Sequence, residues 1–350
     1  MREFNLREIG GLLAGSRIIN SAEPEKTVFH SLGSLESGKG KFLSFAAGKG
    51  NLKSAKASGA AALIISPDLE KEISVPAAVA DNVELALSMV LSYMYPPKKP
   101  EGKIESTSAV HSSAKIGKGT YLGHFVSVGE NSTVGENCII EDGVKIGMNV
   151  HIGDNARIGM NCVFHDDTVI GKNFTVFGNS TFGGDGFRFV TVKGIHHKIP
   201  QIGKVVVGDD VEIGSNCCVD RGGLEDTVIG NGCKFDNQVH VGHNVRIGNN
   251  VIIAGQSGVA GSTVIGNNVL IGGACAVSDH LVVPDDSIIA GGTGMRTSPK
   301  EKGIYIGWDW GMTYPEFQKA RVNIKHLIGF NKWASRIKAI EKQLGIKAEE

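Results

Sequence analysis

From Ile104 onward an aliphatic or phenylalanine side chain returns every six residues. The run is Ile104, Val110, Ile116, Leu122, Val128, Val134, Ile140, Ile146, Ile152, Ile158, Phe164, Ile170, Val176 and Phe182. It resumes at Val207, Ile213 and Val219. After a slip of four residues it continues from Ile229 through Phe235, Val241, Ile247, Ile253, Val259, Ile265, Ile271, Val277 and Val283 to Ile289. A period of six fits neither the 3.6 of a helix nor the alternation of a meander strand. It is the signature of a parallel β-helix, in which three hexads close one triangular coil and each hexad points one apolar residue inward. The 28 repeat positions predict about nine coils, which bury their apolar residues only by stacking on one another.

The flanks read differently. Residues 1–100 have α/β texture, with short apolar strands at 41–45 and 62–65 and a helix over 82–95 capped by Asp81. The proline-rich run 96–100 reads as a linker. From Tyr314 to about Lys347, Phe317, Ile324, Ile328, Ile337, Ile340 and Leu344 recur at roughly helical spacing. The expected division is therefore an α/β domain over 1–100, a mainly β solenoid over 101–295, and a helical extension over 296–350.

Composition sharpens this picture. Glycine supplies 48 of 350 residues, about twice average usage, which suggests a backbone that turns often at fixed places. Lysine plus arginine and aspartate plus glutamate both number 36, which argues against a general nucleic-acid binder. The balance conceals a basic tail: between residues 317 and 347 there are eight lysines and arginines against one acidic residue, Glu341. Lys319, Arg321 and Lys325 are its leading candidates for docking an acidic partner. Cys138, Cys162, Cys217, Cys233 and Cys275 each precede a repeat aliphatic by two positions, where a small inward side chain fits; Cys218 falls outside that frame. No CxxC occurs, which favours a reducing cytoplasm. No apolar run reaches a spanning length, and the N-terminus does not read as a signal peptide.

Two breaks in the frame invite function. Residues 183–204 are too long for one coil side, and about four residues are inserted around Asp220-Arg221-Gly222-Gly223. Solenoid insertions become loops, often on a binding face. His111, His124, His151 and His165 read as outward surface residues of the early coils. His243 stands two residues past Val241, outside the inward pattern, and is the leading candidate for proton transfer; His280 lies two coils on and could face the same cleft. His240 and His243 flank a repeat position and are expected to point apart, which disfavours a zinc site. No GxSxG, Walker or HExxH motif is present.

The segments HKIPQIGKVVVGDDVEIGSNCCVDRG (197–222), DNQVHVGHNVRIG (236–248) and IAGQSGVAGSTVIG (253–266) resemble the UDP-3-O-acylglucosamine N-acyltransferase family of lipid A synthesis, and the resemblance spans essentially the whole chain. It implies a left-handed parallel β-helix and a homotrimer. The implied reaction moves a 3-hydroxyacyl chain from acyl carrier protein to the 2-amino group of a UDP-3-O-acyl amino sugar, without cofactor or metal. It also implies His243 as general base, Asp236 as its polarising carboxylate, and the Gly261 N–H as oxyanion donor. His280, Asn237, Gln238 and Asn244 become substrate-binding candidates, and Met295 a candidate end to the acyl groove. In place of the family's FLSNPKY uridine motif the chain reads Phe42-Leu43-Ser44-Phe45-Ala46-Ala47-Gly48, so Phe42 and Phe45 are the rings available to uracil. An acetyl-CoA-dependent amino-sugar N-acetyltransferase and a non-catalytic nucleotide-sugar-binding paralogue are the competing expectations.

Overall fold

The computed structural model describes residues 3–307, 312–327 and 329–344. Two compact units emerge, Met1–Lys99 and Pro100–Glu350.

The first unit is built on a five-stranded sheet in the order Arg17–Ile19, Ala77–Val79, Ala62–Ile65, Phe42–Ala46 and Ser31–Leu32. Its first pairing is antiparallel and the others are parallel. Alternation along the strands sorts side chains into two cores: Leu43, Ala62 and Ile64 pack on one side, Phe42, Ala46, Leu63 and Ile65 on the other. The predicted helix spans Val83–Met94. Its cap is Asn82 rather than the expected Asp81, because the Asn82 carboxamide oxygen accepts the Leu85 N–H at 2.9 Å.

The second unit contains the solenoid. Two-residue strands end on the inward position of each hexad and form three parallel sheets. The first face runs from Ala109–Val110 to Gly294–Met295, the second from Lys115–Ile116 to Val282–Val283, and the third from Tyr121–Leu122 to Ile304–Tyr305. Inward residues from Leu122 to Ile289 form one continuous core. At the open end Ile104 is exposed and Val110 and Ile116 are only partly buried, since no coil precedes them.

The frame runs one hexad further than the sequence reading allowed. Met295 pairs with Val277 on the first face and is fully buried in the core. The five in-frame cysteines are buried and Cys218 is exposed. Burial pushes the Cys162 thiol up to about 11, which makes it a packing group rather than a nucleophile.

Glycine and asparagine divide the corner work. Left-handed corner positions are held largely by asparagine, among them Asn131, Asn137, Asn149, Asn155, Asn161, Asn173, Asn250 and Asn268. Glycines after the inward residue answer a different need. A Cβ on Gly117 would lie 2.4 Å from the Gly135 backbone of the next coil, so close stacking, not positive φ, excludes a side chain there.

The tail forms helices Tyr314–Leu327 and Phe330–Leu344. On the second, Phe330, Trp333, Ile337, Ile340 and Leu344 form an exposed apolar stripe at i, i+3 and i+4 spacing. Lys319 and Arg321 are exposed. The side chain of Lys325, and Ile328 and Lys347, lie outside the described residues.

Candidate active site

The two insertions meet on the first face. The strand Thr181–Asp185 pairs with Cys218–Arg221 through an irregularity between Phe182 and Gly184. Between them the chain projects a hairpin, Phe189–Val192 against Ile195–Lys198. The Ile202 N–H donates to the Gly223 carbonyl at 2.8 Å, and the Gly203 N–H donates to the Gly222 carbonyl at 3.0 Å. The Arg221 guanidinium donates to the Gly183 and Asp166 carbonyls at 2.8 and 2.7 Å. The two interruptions thus brace one another.

His243 sits in the corner after the strand His240–Val241, with its ring held between two glycines. A Cβ on Gly261 would fall 2.7 Å from Nε2 of that ring, and one on Gly186 would fall 2.8 Å from the His243 Cβ. Gly186 is fixed by its N–H, which donates to Gln201 Oε1 at 2.9 Å. His243 Nδ1 lies 3.0 Å from Asn244 Oδ1.

The surroundings of Asn244 decide the tautomer. Its Nδ2 donates to the Glu225 carbonyl at 2.9 Å, so Oδ1 is the acceptor, and it also receives the Gly223 N–H at 2.9 Å. His243 must therefore donate from Nδ1, which leaves the Nε2 lone pair free over Gly261. The Gly261 carbonyl accepts the His280 N–H at 3.1 Å, while its own N–H meets no acceptor among the described residues.

A cavity of about 600 Å³ opens here, lined by His243, Gly261, His280, His240, Asp220 and Arg188, with Phe187 at its wall. His240 was expected to point away from His243, and it does not. Residues 240 and 242 both flank the inward Val241 and face outward, and the corner at 243 turns back over the same face. Asp220, at the start of the four-residue insertion, faces His240 with Oδ2 3.7 Å from Nε2. Burial holds its carboxyl above the ordinary aspartate range, against the opposing pull of His240 and His243.

Asp236, Asn237 and Gln238 are not in this cavity. They occupy the corner between the third and first faces, around a second cavity of about 470 Å³ shared with Gly255, Gln256 and Gly273. There the Asp236 carboxylate accepts the Asn237 and Gly255 N–H groups at 2.7 and 3.0 Å, and Asn237 Oδ1 accepts the Ser215 N–H at 2.7 Å. Within one chain, the carboxylates lining the His243 cavity are Asp220 and Asp279. In the N-terminal unit Phe42 is 7% exposed, with its ring against Gly33 and Gly40, whereas Phe45 is 38% exposed. Gly48 adopts φ +71° and donates its N–H to Ser66 Oγ at 2.8 Å.

A glycine-bounded imidazole with a fixed tautomer on a hexapeptide solenoid defines a class, the hexapeptide-repeat acyltransferases. The bacterial transferase hexapeptide family (six repeats) matches residues 113–147, 137–172 and 226–261. The chain is 54% identical over 351 residues, covering 100% of both chains, to the UDP-3-O-acylglucosamine N-acyltransferase of Leptospira biflexa serovar Patoc. It is 38% identical over 343 residues to that of Methylobacillus flagellatus, covering 98% of this chain and 96% of the relative. The Coxiella burnetii enzyme of the same name is 36% identical over 284 residues, covering 81% of this chain and 82% of the relative. The chain belongs to the UDP-3-O-acylglucosamine N-acyltransferase family. Among solved structures it is similar to UDP-N-acetylglucosamine O-acyltransferase from Moraxella catarrhalis, at TM-score 0.40 and 25% identity over 58% of this chain and 69% of that one. Among the described residues no helix is long and apolar enough to cross a membrane.

Proposed function

We propose that this chain transfers a 3-hydroxyacyl group from the thioester of acyl carrier protein to the 2-amino group of UDP-3-O-acylglucosamine or a diamino analogue. The observation that carries the reading is His243 itself, tethered at Nδ1 by Asn244 and open at Nε2 above a side-chain-free Gly261. The sugar nitrogen attacks the thioester carbonyl, and His243 Nε2 takes a proton from it as the N–C bond forms. The Gly261 N–H receives the negative charge that develops on the carbonyl oxygen. On collapse the C–S bond breaks and His243 returns its proton to the departing sulfur, so neither an acyl-enzyme nor a metal is required.

Three copies of the chain, packed side by side, would carry Asp236, Asn237 and Gln238 of one solenoid to the groove beside His243 of the next. Their corner lies on the opposite edge of the first face from His243, which suits contact across a groove rather than within a chain. Phe45 offers the exposed ring for uracil, whereas Phe42 is buried on the opposite face of the strand. Lys319 and Arg321, together with Lys325, supply positive charge for the acidic carrier protein, and the reaction belongs in the cytoplasm.

The test is His243→Ala assayed with acyl carrier protein thioester and the UDP-amino sugar. Loss of about 10²–10⁴ in turnover with an unchanged melting curve is expected for a general base. Wild-type turnover by the variant would overturn the reading, and a preference for coenzyme A thioesters would replace the donor.

A further inference from the structure

An amine acceptor poses a proton problem that a single imidazole does not solve. An amino sugar protonated at neutral pH arrives with three N–H bonds and leaves as an amide with one. One of the two protons departs on the thiol, by way of His243, and the other must leave the cavity. This argument rests on the reaction proposed above.

We propose that the Asp220–His240 pair is the second proton acceptor, deprotonating the incoming ammonium group so that the neutral amine can attack. The proton is taken up as a His240 imidazolium facing the Asp220 carboxylate and is then shed to water. His243 stays free for the proton released during attack on the thioester.

The geometry supports this division. His240 and Asp220 line the same cavity as His243, and their facing atoms lie 3.7 Å apart, with the Asp220 side chain 17% exposed and that of His240 53% exposed. The pair therefore has a sheltered carboxylate on one side and a route to solvent on the other. Asp220 accepts no hydrogen bond among the described residues, which distinguishes it from the carboxylates that staple the solenoid corners.

The electrostatic surroundings are mixed. Asp185, itself paired with Lys198 at 2.5 Å, raises the Asp220 carboxyl further, and His243 lowers it. Arg188, Asp279 and His280 border the cavity. On the strand beneath, the Cys218 thiol lies opposite His240 and is pushed up by burial and by Asp220. Arg221 is engaged by the Gly183 and Asp166 carbonyls.

The experiment measures kcat/KM against pH from about 6 to 9.5 for wild type, His240→Gln and Asp220→Asn, with acyl carrier protein thioester and the UDP-amino sugar. The variants are expected to lose about ten-fold or more near pH 6.5, within the range of acid–base contributions. The deficit should narrow steadily as the pH approaches the amine's own pKa and the substrate arrives neutral. A purely structural role would lower the curve by one factor at every pH, and that result, or curves overlaying wild type, overturns the proposal. Asp220→Asn preserves shape and carries the test if His240→Gln folds poorly. Absence of amide product from the wild-type chain would instead defeat the underlying reaction.

Discussion

The coils over 121–176 and those over 181–280 use the same six-residue unit, yet in the later coils the corner after the first face is finished differently. In the early coils three aspartates, each two past an inward position, staple the stack. Asp142 accepts the His124 N–H, Asp154 that of Glu136 and Asp166 that of Met148, each at 2.7–3.0 Å and eighteen residues away. In the later coils Asn231, Asn249, Asn267 and Asp285 keep the staple on the second face, whereas after the first-face strands stand Arg221, His243, Gly261 and Asp279. There the staple is suspended, and hydrogen bonds between the two insertions replace it. The chemistry sits where the repeat has given up its own side-chain ladder and another source of rigidity has taken over.

This contrast is open to attack from both sides. The largest effect is expected at Gly261→Ala, where the new methyl would meet the His243 ring at 2.7 Å; turnover should fall about 100-fold, as for loss of one transition-state contact, with melting unchanged. An early-coil counterpart, Ile140→Ala, should cost about 2–5 kcal/mol of stability in denaturant unfolding while the folded fraction keeps its kcat. Asn244→Gly tolerates the left-handed backbone of φ +62° but releases Nδ1 of His243. It should lower kcat about ten-fold by freeing the tautomer and ring, with KM for the acyl donor little changed. Asp142→Ala removes one staple and should cost about 1 kcal/mol, read as a small fall in melting temperature with activity intact.

A last prediction concerns pH. A carboxyl raised by burial destabilises the fold once it ionises, so the penalty at Asp220 applies above its folded pKa and vanishes below the ordinary aspartate value. Asp220→Asn should therefore melt higher than wild type at pH 8 and converge with it in acid. An unchanged difference across that range would refute burial as the cause.

The solenoid was legible in the sequence because a stacked coil admits one kind of residue at its inward position, and Val128, Ile146 and Phe164 announce it every eighteen residues. Met295 follows the same rule one hexad further: it is Ile289 plus six, in frame, and lies in the core. The glycine excess was traced to turns, whereas many of those glycines answer the approach of neighbouring coils. His243 stood out through its motif. Asp220 and His240 did not pair on paper because the four-residue insertion sets twenty-two residues between Cys218 and His240, which lie side by side. The unbroken eighteen-residue rule therefore places Asp220 beside the wrong neighbours. Asp236 shares a motif with His243, but the width of the first face, crossed by the strand His240–Val241, separates them.

The eighteen-residue stapling distance makes length a discrete variable in the early coils. Removing one full coil, such as 129–146, would leave every later residue on the same face and the cavity unaltered. Removing a single hexad would rotate all that follows by one face relative to the coils before the cut, hairpin and His243 together, and would break the eighteen-residue staples that span it. Viable descendants of this chain should therefore differ in size by whole turns of the stack, and its early half can be read as a spacer that lengthens or shortens in fixed steps.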